Sequence, residues 1–71
     1  MPHIQAVRDM NSYGFNGNKS RIMLAWSKIN MAYIVWREDG GHQTGVRIHI
    51  NRIEACEDYR ARINFVKEMA A

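Results

Sequence analysis

The stretch MAYIVWR, residues Met31–Arg37, decides the fold of this chain. It is apolar at nearly every position and rich in β-branched and aromatic residues, which is typical of a strand buried on both faces. We therefore expect it to be the central strand of a small sheet. The remaining candidate elements are two shorter strands and a C-terminal helix.

The two flanking segments alternate between large apolar and smaller or more polar residues. Ile22, Leu24 and Trp26 alternate before the central strand, as Val46 and Ile48 do after it. Alternation of this kind indicates half-buried strands. The predicted sheet is antiparallel and has three strands, at about 21–27, 31–37 and 44–50.

The turns set the expected register of this sheet. A two-residue turn at Gly40-Gly41 would place Val46 opposite Val35, and a turn at Ile29-Asn30 would place Leu24 opposite Val35. Directly opposed residues point to the same side of a sheet. One face of the predicted sheet therefore collects Ile22, Leu24, Trp26, Tyr33, Val35, Val46, Ile48 and Ile50.

A C-terminal helix is predicted over residues 52–69. Asn51 and Glu54 resemble a capping box, and Asp58 and Arg62 form an i,i+4 pair. Apolar residues recur at helical spacing in Cys56, Tyr59, Ile63, Val66 and Ala70. We expect this helix to cover the apolar face of the sheet, which gives an α+β fold with one C-terminal helix packed on one face.

The first twenty residues are harder to assign. Residues 2–10 are expected to form an irregular or edge element that closes over the core, and Asn11–Ser20 a polar loop. Tyr13 and Phe15 are unusual in such a polar stretch. They either anchor the loop on the core, which we favour, or stack on a base or a partner side chain.

Length and composition limit the classes of protein to consider. The chain has 71 residues, which favours a single domain (1–71), and one cysteine, so no internal disulfide can form and a reducing, cytoplasmic compartment is expected. No signal peptide or apolar run of membrane-spanning length is found. The net charge is +3; residues 1–52 carry seven Lys or Arg against three acids, and residues 53–71 three against four. The positive charge therefore belongs to the sheet and N-terminal segment.

A contact face is predicted on the side of the sheet that the helix leaves free. Ile34 and Trp36 are large apolar residues there with no remaining helix to cover them, and exposed patches of this kind mark interaction surfaces. The alternative is that residues 1–20 fold beneath the sheet and bury both. The candidate partner-binding residues are Arg21, Met23, Ile34, Trp36, Arg37, Arg47 and His49.

Nothing in the sequence favours catalysis, a cofactor or a metal. His3, His42, His49 and Cys56 show none of the spacings of a metal site, and Glu38-Asp39 is more typical of a solvated turn than of a catalytic pair. We therefore expect a protein that is not an enzyme.

Two binding functions remain. The favoured one is a small non-catalytic protein, of inhibitor or adaptor type, that docks on a partner protein or nucleoprotein through the free sheet face; small free-standing domains often inhibit or regulate larger machines, as phage anti-defence proteins do. A homodimer is left open. The alternative is a DNA- or RNA-binding regulatory domain that uses the basic sheet. Its layout is similar to that of plant AP2-type domains, without a shared residue motif.

Overall fold

The structure, a computed structural model, describes the backbone of residues 7–70 and the side chains of residues 11–70. It is an α+β fold in which one antiparallel sheet, with strand order β1-β2-β3-β4, is followed by a helix. The elements are β1 (Val7–Phe15), β2 (Ser20–Ser27), β3 (Ala32–Asp39), β4 (His42–His49) and α1 (Arg52–Ala70). The predicted fold class is confirmed, whereas the predicted number of strands was wrong, because β1 is a fourth strand.

β1 occupies residues that were predicted to be partly loop. It pairs along β2 from Phe15↔Ser20 to Val7↔Ser27, with one irregularity between Arg8 and Asn11. A polar sequence can form such a strand because β1 lies at the edge of the sheet, where few side chains need to be buried. Residues 1–6, the start of the predicted closing element, lie outside the described part of the chain.

The β2–β3 hairpin has the predicted register. Pairing runs without interruption from Ser20↔Asp39 to Ser27↔Ala32, and Leu24 lies opposite Val35 as expected. In the connecting turn Met31 takes the left-handed conformation, with φ 49°. The predicted central strand is thus β3, with a neighbour on each side.

The β3–β4 hairpin departs from the predicted register after a few pairs. Gly40 and Gly41 form the expected turn with positive φ, which closes the Asp39↔His42 pair. Further along, a bulge lies between the Arg37↔Thr44 and Val35↔Arg47 pairs, at Gly45 with φ 60°. An extra residue in one strand turns every later side chain to the opposite face. The predicted orientation of the second half of β4 was therefore wrong.

The helix begins at the predicted cap and lies on the predicted side of the sheet, although its buried residue, Ala55, was not part of the predicted apolar stripe. The side-chain oxygen of Asn51 accepts hydrogen bonds from the backbone N–H groups of Ile53 (2.7 Å) and Glu54 (3.3 Å), which caps the first turn. Ala55 is buried against Leu24 and Val35 on one side of the sheet, which we call the helix side. The other side is called the helix-free side.

Candidate functional site

The helix-free side of the sheet is not an open contact face. Met23, Ile34 and Trp36 are only 5%, 0% and 1% exposed in the isolated chain. They pack with Ala25 into one cluster, which Val46 borders. The expectation that these three candidate residues are exposed was therefore wrong, and they cannot contact a partner without rearrangement of the core.

Two features are consistent with this burial. The β4 bulge brings Val46 to the helix-free side, where it packs against the cluster. The indole N–H of Trp36 donates to Glu38 Oε1 at 3.1 Å, so its polar atom is satisfied within the chain. The alternative prediction was that residues 1–20 cover this side of the sheet. Of these, Val7–Phe15 form a strand of the sheet itself, and residues 1–6 lie outside the described part of the chain.

The basic candidates do not share one face either. Arg21 lies opposite Glu38 in the β2–β3 register and is on the helix-free side, as predicted. Arg37 lies on the opposite side, opposite Ile22, and the bulge sends Arg47 and His49 to that helix side as well. The predicted contact face is thereby divided between two surfaces.

On the helix side, Asp58 of α1 links the helix to β4. Its Oδ2 accepts a hydrogen bond from His49 Nε2 at 2.8 Å, and its Oδ1 accepts one from Arg62 Nε at 2.9 Å. Burial on its own raises the pKa of Asp58, but these hydrogen bonds and the charges of Arg62 and Arg47 outweigh it, so the pKa is lowered. The predicted Asp58–Arg62 pair is present and gains His49 as a third member.

A cleft of about 460 Å³ lies beside this network, between α1 and the β3–β4 hairpin. Three arginines, Arg37, Arg47 and Arg62, line it together with Asp58. The Nε atom of Arg37 forms an ion pair with Asp39 Oδ2 at 2.8 Å, and Asp39 does not line the cleft. We call this site, defined by its three arginines, the basic cleft.

Aromatic side chains lie close to the cations at this end of the helix side. The Arg37 guanidinium is 5.0 Å from the centre of the Phe15 ring, and Lys67 Nζ is 5.5 Å from that of Tyr13. Both distances are within the range of cation–π contacts. Both rings are half-buried, and both lie in β1 rather than in the predicted loop.

The opposite end of the molecule exposes a group of large apolar side chains. Ile29 and Met31 flank the centre of the β2–β3 turn, and Ile50 and Ile53 lie where β4 passes into α1. Tyr33 lies opposite His49 in the β3–β4 register. Met31, two residues before Tyr33, and Ile50, directly after His49, therefore lie at the same end of the sheet. The most exposed of the four is Ile50, at 87%. We call these four residues the apolar end.

No three His, Cys, Asp or Glu side chains of residues 11–70 converge as a metal ion requires; His3 and Asp9 lie outside that range. No helix in the same range is long and apolar enough to cross a membrane.

Comparison of the chain with protein-family models, curated proteins and solved structures finds no match.

The sequence contained signals for both sites. The apolar end was indicated by Ile29 and Met31, two large apolar residues in a turn, where polar residues are usual. The basic cleft depends on the bulge, for which an isolated glycine inside a strand, Gly45, is the usual sign.

Proposed function

We propose that this chain is a small non-catalytic binding protein, of inhibitor or adaptor type, that docks on a partner protein or nucleoprotein through the apolar end. The observation that carries the proposal is the exposure of Ile29, Met31, Ile50 and Ile53 at one end of the molecule. Exposed groups of large apolar side chains on small proteins usually mark interaction sites. The proposed contact surface thus moves from the sheet face to the end of the sheet.

The free energy available at this end is large enough for a specific contact. Full burial of one Ile or Met side chain contributes about 1.5–3 kcal/mol, and a few such anchors dominate most protein interfaces. Lys28 and Arg52 border the patch, with Glu54 as the nearest acid on α1. The best-fitting partner is therefore a protein with an apolar pocket and a weakly acidic rim, bound with little dependence on salt.

The test compares two methionines at opposite ends of the molecule. Met31 is 67% exposed at the apolar end, and Met69 is 73% exposed near the end of α1. Proteins retained from a host extract by the immobilised chain are identified, and the purified partner is then titrated by calorimetry. We expect Met31→Ser and Ile50→Ser each to weaken its binding about tenfold or more, and Met69→Ser to leave it unchanged. The wild-type complex should form with a negative heat-capacity change.

Several outcomes would contradict the proposal. Equal weakening by Met69→Ser would show that general surface hydrophobicity is responsible. Retention that disappears after nuclease treatment, or that falls steeply with salt, would point to a nucleic acid instead. Sedimentation at micromolar concentration gives a further outcome: a dimer lost in Met31→Ser would identify a second copy of the chain as the occupant.

Nucleic-acid binding stays as the second candidate function, on a different observation. A uniformly basic strand face is not supported, since Arg21 and Arg47 lie on opposite sides of the sheet. What supports the candidate is the basic cleft, in which three guanidinium groups line one cavity.

A further inference from the structure

Among the side chains of residues 11–70, the arginines of the basic cleft have more hydrogen-bond donors than the acids around them use. Arg62 gives Nε and Nη2 to Asp58, at 2.9 and 3.4 Å, which leaves Nη1. Arg37 gives Nε to Asp39, which leaves both of its terminal nitrogens. Arg47 has no ion pair with any of the described side chains.

The backbone keeps these donors in the cleft. Gly45 lies in the bulge of β4, and a Cβ atom placed on it would be 3.4 Å from Arg62 Nη1. The free nitrogen of Arg62 therefore reaches from the helix to the bulge, at the wall of the cleft. The same bulge turns Arg47 toward α1. The bulge thus sets the side on which Arg47 lies and leaves room beside it for Arg62, which Asp58 holds.

The cleft suits a ligand with an anionic group and a flat ring. Guanidinium groups bind phosphate through paired N–H donors, and the hydroxyl of Thr44 adds a neutral donor to the lining. Phe65 also lines the cleft, although its side chain is 62% exposed. An exposed aromatic ring beside arginines is the combination on which nucleobases stack in single-strand-binding proteins. A volume of about 460 Å³ is within the range of small-ligand sites.

We propose that the basic cleft binds a nucleotide unit, with its phosphate on Arg47, Arg37 and Arg62 and its base on Phe65. This inference deepens the second candidate function and does not depend on the apolar end. The unit is either a free nucleotide or one residue of a single-stranded nucleic acid, since both present the same phosphate and base. Protein docking at the other end neither requires nor prevents it.

The first experiment uses three small probes, titrated by calorimetry at low salt. We expect adenosine monophosphate to bind at least about tenfold more tightly than adenosine, which lacks the phosphate, and than inorganic phosphate, which lacks the base. Arg47→Gln should weaken its binding about tenfold or more. The matched control is Arg21→Gln, which removes the same charge from an exposed strand arginine on the other side of the sheet. It should have no more than about a twofold effect.

A variant of the ring separates the two halves of the site. Phe65→Leu keeps an exposed apolar residue on α1 but removes the aromatic surface. It should bring the affinity for adenosine monophosphate down to that for inorganic phosphate, with phosphate binding itself unchanged. Far-ultraviolet circular dichroism of each variant checks that the fold is kept.

A single-stranded oligoadenylate of eight nucleotides distinguishes the two sources. Binding about tenfold tighter than that of the monophosphate, with a steep salt dependence, identifies a single strand as the ligand, and equal affinity identifies a free nucleotide. The proposal is overturned if no probe binds at 1 mM, or if Arg21→Gln weakens binding as much as Arg47→Gln. Oligonucleotide binding that is insensitive to Arg47→Gln would overturn the proposal that the cleft is the binding site, and would place nucleic-acid binding elsewhere on the chain.

Discussion

The β2–β3 and β3–β4 hairpins share one strand but differ in the regularity of their pairing. Eight consecutive pairs join β2 to β3, whereas a bulge at Gly45 interrupts the pairs between β3 and β4. Outside the shared strand, β2 contributes four of the buried apolar residues and β4 contributes none. The interrupted hairpin instead turns Arg47 and His49 toward the helix. Regular pairing therefore builds the core here, and its interruption builds the polar site.

The largest expected effect tests whether the shared strand β3 and the bulged strand β4 differ in their contribution to stability. Ile34 on β3 and Ile48 on β4 lie directly opposite each other, but Ile34 is fully buried while Ile48 is 48% exposed. Ile34→Ala should lower the free energy of unfolding by about 2–5 kcal/mol, because it leaves a cavity in the core. Ile48→Ala should lower it by less than about 1.5 kcal/mol. Urea denaturation measures both, and equal losses would mean that β4 contributes to the core as fully as β3.

The next effect concerns the link between the interrupted hairpin and the helix. Asp58→Asn removes the charge that holds His49 and Arg62, and should cost about 1–3 kcal/mol of unfolding free energy. Glu57→Gln, at the neighbouring exposed position, is the control and should change it by less than about 0.5 kcal/mol. A neutral result for Asp58→Asn would mean that the network adds nothing to stability.

The same carboxylate gives a pH dependence with a definite sign. The pKa of Asp58 is lower in the folded chain than its ordinary value of 3.8, so the unfolded state binds the proton more strongly. The stabilisation it provides is complete above pH 3.8 and declines as the pH falls below that value. Urea denaturation as a function of pH should show this decline in the wild-type chain, and a smaller one in Asp58→Asn.

The smallest effect tests the bulge itself. Gly45→Ala places a Cβ atom on a backbone with φ 60°, at 3.4 Å from Arg62 Nη1. Gly17→Ala places one on a backbone with φ 64°, with no atom within 4 Å. Both variants should lose about 1–2 kcal/mol from the left-handed backbone. Gly45→Ala should lose more unfolding free energy than Gly17→Ala, and only Gly45→Ala should weaken ligand binding in the basic cleft. Equal stability and unchanged binding would separate the bulge from the site.

Much of the core architecture could be predicted from the sequence because periodicity and turn chemistry agreed. MAYIVWR, the Asn51 cap and the Asp58–Arg62 pair each had a local signal that the structure confirms. β1 was missed in part because an edge strand has little apolar periodicity. Its polar residues 11–15 resemble a loop more than a strand.

The prediction of the contact face was wrong for two physical reasons. The first is that a sheet face without a covering helix was expected to be exposed. Trp36, on that face, is only 1% exposed. The register of β4 was extrapolated from the Gly40-Gly41 turn, and one inserted residue reversed it. Turn chemistry determines the pairs next to the turn, but a bulge three residues later overrides it.

The proposed docking at the apolar end would place folding and association in opposition at Met31, whose backbone is left-handed. An L residue with a side chain loses about 1–2 kcal/mol in that conformation, which glycine would avoid. Yet the methionine side chain points into solvent, where the monomer gains nothing from it. Selection for a sturdier monomer would therefore favour glycine at this turn, and selection for the docked complex would favour methionine.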